Sequence, residues 1–360
     1  MQNGRQRMGN QSGFFGIKGC PANIPPKQGI CQRMTDHEAQ AAWRLFTLNW
    51  IPLALMALAL ALCLSLTKFS IKPESALFSL GAIALYTGIA YFSARGSRRH
   101  SAVMAFMFGS AAQLFLITAL MTPLTYVAAA SDLPLQDANL AALDRALGLD
   151  WRAYLAFFND RPGLIGYLAL GYMLIAWPVF GVPVLLGATR RFGRLQQFTL
   201  AFALTLVATT IISTMVPALG TYHQLGLSPS DYIHITPGGY LDQLRDFPRV
   251  RAGSLRELDI VQLVGIITFP SFHAAACVLY LWALWAIWWM RPIVVLTNGL
   301  MLLATPIGGG HYFVDVLAGV AVAVLAIAAA KALGARMTQG AATLSAHARA
   351  SGHPVPSCSL

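Results

Sequence analysis

Residues 311–330 read HYFVDVLAGVAVAVLAIAAA, twenty positions in which Asp315 is the single acidic or basic residue apart from His311. At about 1.5 Å of rise per residue, a helix of this length crosses the roughly 30 Å hydrocarbon core of a bilayer. A carboxylate inside such a run is expensive in lipid and persists where it has a partner and a task. The stretch therefore sets two expectations: the fold is built in a membrane, and Asp315 belongs to a site.

The rest of the chain extends the first expectation. Of 360 residues, 56% are hydrophobic and only 11% charged, against about 25% charged in a soluble domain. Apolar runs at 45–66, 75–94, 102–129, 163–187, 195–217, 271–289, 293–309 and 312–334 predict an all-α polytopic membrane bundle of about eight transmembrane helices. Mostly polar residues precede the first run, which is itself long enough to span, so no secretory signal peptide is expected.

The net charge of +11 is distributed by topology. With the N-terminus inside, 16 of the 25 Lys and Arg fall on the cytoplasmic side, including the short loops at Arg95–Arg99 and Arg190–Arg194. The reading is N-in/C-in, and it removes nucleic acid as a partner. Cys63 and Cys277 lie in spans, while Cys20, Cys31 and Cys358 fall on the reducing side, so no disulfide framework is expected.

Two long connections, 131–162 and 218–270, fall outside on this topology. In the first, Leu140, Leu143, Leu147, Trp151 and Leu155 recur at helical spacing and predict an amphipathic helix in the membrane interface, a cap on the bundle or a lid. The second ends in Arg245, Arg249, Arg251 and Arg256, close in sequence to His273, which suits an anionic substrate.

Chemistry concentrates at Pro270-Ser271-Phe272-His273 and His311-Tyr312-Phe313-Val314-Asp315, both at outer span ends. Positions i and i+4 share a helix face, so Asp315 can accept a hydrogen bond from one His311 ring nitrogen and leave the other as a nucleophile. His273 opens the sixth span, where unpaired amides and the helix dipole favour a phosphate, and its pKa range suits a general acid. Gly308-Gly309-Gly310 offers backbone amides without side chains.

These residues resemble the type 2 phosphatidic acid phosphatase superfamily, whose signatures include Pro-Ser-x-His and His-x-x-x-Asp. The longer strings Thr268–Ala275 and Gly310–Gly319 are most similar to its inositol phosphorylceramide synthase branch. The resemblance implies that His311 forms a phosphohistidine, Asp315 orients it, His273 serves as acid then base, and Ser271 helps bind phosphate. The superfamily's Lys-x6-Arg-Pro signature is absent, since Tyr154 stands seven before Arg161, and Ala304-Thr305 replaces a Ser-Arg pair. Arg251 and Arg256 are named as substitute phosphate-binding cations.

The domain organisation expected is a disordered cytoplasmic arm (1–42), accessory transmembrane helices (43–130), a catalytic membrane domain (131–335) and a cytoplasmic tail (336–360). The function expected is a membrane lipid-phosphate phosphatase or phosphotransferase, without metal or cofactor, at the periplasmic face of a bacterial inner membrane. Its partners would be a lipid phosphate ester, an alcohol headgroup as acceptor, and membrane lipids. Three other readings compete: a His–Asp pair that only packs helices, a zinc or iron site on His273, His311 and Asp315, and a transporter or flippase using the pair as a proton relay.

Overall fold

Within a bilayer every backbone N–H and C=O must be satisfied inside the protein, which favours helices wherever the sequence is continuously apolar. A computed structural model describes residues 38–95 and 101–350. Three long helices come first: α1 (Glu38–Leu66), α2 (Pro73–Arg95) and α3 (Ser101–Ala129). The short α4 (Asp137–Ala146) and α5 (Trp151–Asn159) follow. Next come α6 (Pro162–Met173), α7 (Trp177–Ala188) and α8 (Phe192–Met215). A single helical turn at Thr221–Gln224 precedes α9 (Gly238–Arg251), α10 (Phe272–Leu284), α11 (Arg291–Gly309) and α12 (Phe313–Ala350). Among the described residues, strand is confined to a two-residue parallel bridge, β1 (Ser70–Ile71) with β2 (Glu257–Leu258).

The all-α membrane class holds, while helix length and apolarity support six or seven of the eight expected spans. Six described helices are long and apolar enough to cross a membrane, or seven when α6 and α7, bent by 62°, count as one span. The run at 271–289 does not yield a full span: α10 has 13 residues and gives way to a 3₁₀ turn at Trp288–Met290. At about 1.5 Å per residue it is well short of the hydrocarbon thickness.

Two further expectations change. The single amphipathic helix from Leu140 to Leu155 is two helices, because the chain turns at Gly148, whose φ of 72° is left-handed and suits a residue without a Cβ. Asp150 then starts α5 by accepting the Ala153 N–H at 3.0 Å. At the C-terminal end, α12 continues as helix through Ala350, well into the expected tail. Most of the expected N-terminal arm, residues 1–37, lies outside the described residues, as do 96–100 and 351–360; 38–42 belong to α1.

α10 packs against α7, α8, α11 and α12. Its Ala274, Ala275, Ala276 and Ala283 are buried, and such small side chains allow close helix approach in a solvent as apolar as the helices themselves. Gly319 on α12 completes this contact: a Cβ there would lie 2.2 Å from the Ser271 carbonyl oxygen. The leading helices are tied in by polar contacts. Asn49 Nδ2 donates to the Gln196 carbonyl at 3.2 Å and to its Oε1 at 3.1 Å, and Gln196 Nε2 donates to Ser110 Oγ at 2.8 Å.

Candidate active site

The α10–α12 contact brings the two motifs together. His273 stands in the first turn of α10, His311 in the link between α11 and α12, and Asp315 in the first turn of α12. The imidazole centroids of His273 and His311 are 6.4 Å apart. His311 and Asp315 are buried.

The His311 ring is oriented chiefly by a backbone group. Its Nδ1 lies 2.8 Å from the Thr268 carbonyl oxygen and 3.4 Å from Asp315 Oδ2. A carbonyl can only accept, so Nδ1 carries the proton and Nε2 holds the lone pair of the neutral ring. The expected orienting bond to Asp315 is thus supplied by Thr268, while Asp315 stands close enough to interact with positive charge on the ring. Asp315 Oδ2 accepts the Tyr312 N–H at 2.9 Å. Its Oδ1 makes no hydrogen bond, nor does the buried Nε2 of His273. Buried polar atoms normally find partners, and exceptions concentrate where chemistry uses them.

His273 is held by an aromatic face: the Tyr172 ring of α6 stacks on it at 4.0 Å between centroids and 14° between planes. The glycine run serves this packing. A Cβ on Gly308 would lie 2.5 Å from the Tyr172 ring, and one on Gly309 would lie 2.6 Å from the His311 ring. Two rings therefore occupy space that the sequence suggested was open to an anion. Tyr172 also borders an apolar cavity of about 160 Å³ lined by Ile165, Leu168, Met173, Ile307 and Gly308 among others.

The other named residues have different surroundings. Ser271 is the N-cap of α10: its Oγ accepts the Ala274 N–H at 3.4 Å, and its own N–H donates to the Asp315 carbonyl at 3.0 Å. Arg251 donates to the Leu133 carbonyl at 2.8 Å and stacks over Phe247, and Arg256 lies over the Phe69 ring. No contact joins either arginine to the histidines. Arg245 and Arg249 pair with the buried Asp246, which also accepts the Tyr126 hydroxyl at 2.8 Å.

Thr268, Tyr172, Trp151, Asp137 and Asp144 were not among the expected site residues. Thr268 contributes a backbone carbonyl, which no side-chain pattern announces; Trp151 Nε1 donates to the His311 carbonyl at 3.1 Å from a helix 160 positions away. Among the described residues, no three His, Cys, Asp or Glu side chains are grouped to hold a metal ion.

A model of the PAP2 superfamily matches residues 138–329, more than half of the chain and every element that builds this site. The chain belongs to the PAP2 superfamily. PAP2 proteins are in general phosphatases, and membership together with the apolar helices fits a membrane lipid phosphatase. No curated protein and no solved structure matches the chain. The match begins inside α4, so the PAP2 region includes the short helices before α6 as well as the helices that carry His273 and His311.

Proposed function

We propose that the protein hydrolyses or transfers the phosphoryl-type group of a lipid phosphate ester through a phosphohistidine on His311, at the periplasmic face of a bacterial inner membrane. The carrying observation is the His311 ring: its Nδ1 is fixed on the Thr268 carbonyl, which leaves Nε2 as the attacking atom beside His273. Nε2 attacks phosphorus and the bond to the leaving oxygen breaks, while protonated His273 gives its Nε2 proton to that oxygen. His273 then takes a proton from water or an alcohol, whose oxygen displaces His311 from phosphorus and regenerates the free ring. Asp315 offsets the positive charge on His311 while phosphorus is attached.

The N-terminus of α10, capped by Ser271, supplies positive potential for the phosphate, since the first amides of a helix lack intrahelical partners. The apolar cavity beside Tyr172 suits the hydrocarbon part of a lipid. The resemblance of Thr268–Ala275 and Gly310–Gly319 to inositol phosphorylceramide synthases supports transfer to an alcohol over hydrolysis.

Purified protein in detergent, given lipid phosphate radiolabelled at phosphorus with and without inositol, tests the reading. Label released as phosphate denotes hydrolysis, and label in a new ester denotes transfer. Equal turnover by wild type and His311→Ala would overturn the assignment. No turnover by either, with proton-coupled lipid movement in vesicles, would favour a flippase.

A further inference from the structure

We propose that α4 is the positioning element of the active site, with Asp144 and Asp137 holding the loop that carries His311 from outside the reaction centre. The proposal rests on the phosphohistidine reading above. The start of α12 needs a cap, because helix N-termini expose amides without intrahelical partners. The local sequence His311-Tyr312-Phe313 contains none of the side chains that ordinarily supply one. Asp144 supplies it from α4, accepting the Phe313 N–H on Oδ2 and the Val314 N–H on Oδ1, both at 2.9 Å. A carboxylate at this end of a helix is also favoured by the helix dipole.

Asp137, about two turns earlier on the same face of α4, grips the same loop from its other side. Its carboxylate accepts the Leu219 N–H at 3.0 Å, the Gly220 N–H at 2.8 Å and the Tyr312 hydroxyl at 2.9 Å. The segment so held passes the constraint on, because Thr221 donates its N–H at 2.8 Å and its hydroxyl at 3.0 Å to the Gly310 carbonyl. The residues immediately before and after His311 are therefore both fastened to one ten-residue helix. Both carboxylates are buried, Asp137 at 4% exposure and Asp144 at 3%, so each needs these donors to remain there. Burial raises the Asp144 carboxyl above its ordinary value, and the two amides pull it back.

Neither carboxylate shares a hydrogen bond with His273 or His311, so both act through the loop. A displacement of about 1 Å in a reacting group can cost about a hundredfold in rate. The test uses the full chain in detergent with dioctanoyl phosphatidic acid as substrate, comparing wild type with Asp144→Ala, Asp144→Asn and Tyr312→Phe. Thermal unfolding of each is followed in parallel. Asp144→Ala should lower kcat about ten- to a hundredfold with KM little changed. Asp144→Asn keeps an acceptor oxygen and should recover part of that loss, and Tyr312→Phe should cost a few-fold.

Wild-type kcat in folded Asp144→Ala would overturn the proposal. So would a loss that merely tracks the fraction folded. Should Asp144→Ala fail to fold, Tyr312→Phe decides, since it deletes one hydroxyl, and unchanged kcat there is the overturning result. Absence of turnover by wild type would count against the catalytic reading instead. The loop is then read directly by the rate at which diethyl pyrocarbonate modifies His311, scored by mass spectrometry. A faster reaction in the variants supports the clamp, and an equal rate refutes it.

Discussion

α2 and α10 separate two properties that are easily run together, the length to cross a membrane and burial inside the protein. α2 is a 23-residue apolar helix in which the buried residues are Ser75, Ser79 and Ala90, while Leu77, Phe78, Leu80 and Phe92 face outward. α10 has only 13 residues, too few to span, yet eight of them are buried and it carries His273. In lipid, large apolar side chains lose little by facing the solvent, whereas polar groups and close backbone contacts must be enclosed. Length therefore marks the periphery clearly and misses the centre, where a short apolar helix is the one enclosed.

The sharpest way to break this contrast is on α10. His273→Ala should lower kcat by about two to four orders of magnitude, the usual range for loss of a general acid–base, with folding retained. Lipid-phosphate turnover in detergent, beside a thermal unfolding curve, reads both. Wild-type turnover would show that enclosure of this helix serves packing alone.

Next in size is the α10–α12 contact. Gly319→Ala puts a methyl group against the Ser271 carbonyl, a backbone atom that cannot rotate away. A destabilisation of about 1–3 kcal/mol is expected from such overpacking, measurable as a fall in the unfolding midpoint. An unchanged midpoint would mean that the helices can separate freely.

A smaller effect is expected where α3 meets α9. Hydrogen bonds from Arg245, reinforced by the Tyr126 hydroxyl, hold the Asp246 carboxyl below its ordinary value of 3.8. The stability this contributes is fully present above that ordinary value and is lost as pH falls through the lower, folded-state value. Unfolding midpoints followed downward from pH 5 should therefore drop less steeply in Asp246→Asn than in wild type. Parallel curves would remove Asp246 from the acid response.

The smallest effect belongs to α2. Phe78→Ala and Leu80→Ala should change stability in detergent by no more than about 0.5 kcal/mol, as at other outward positions. A loss near that of Gly319→Ala would make α2 part of the core and dissolve the contrast.

What could be read from sequence divides along the same line. Length and composition were enough for the long peripheral helices and for the all-α membrane class. The spacing of His311 and Asp315 and the Pro270-Ser271-Phe272-His273 motif picked out residues that the fold gathers in one place, because side chains carry that signal. The orienting atom was out of reach, since Thr268 contributes a carbonyl that any residue possesses. So were Asp137 and Asp144, whose partners are backbone amides far along the chain. The expected roles of Arg251 and Arg256 leaned on sequence proximity to His273, whereas the fold turns these side chains toward Leu133 and Phe69.

The small parallel bridge bears on where this protein could be cut. The PAP2 match begins at residue 138, yet β1 lies at Ser70–Ile71 and pairs with Glu257–Leu258, inside the matched region. Beside the bridge, Lys72 meets Asp259 at 3.6 Å, and the Ile260 N–H donates to Ser75 Oγ at 3.2 Å. Trimming the chain to its family boundary would strip a paired edge from the segment that leads into Pro270 and His273. The border drawn by shared ancestry and the border of the contacts that hold this outer segment are different lines in this molecule.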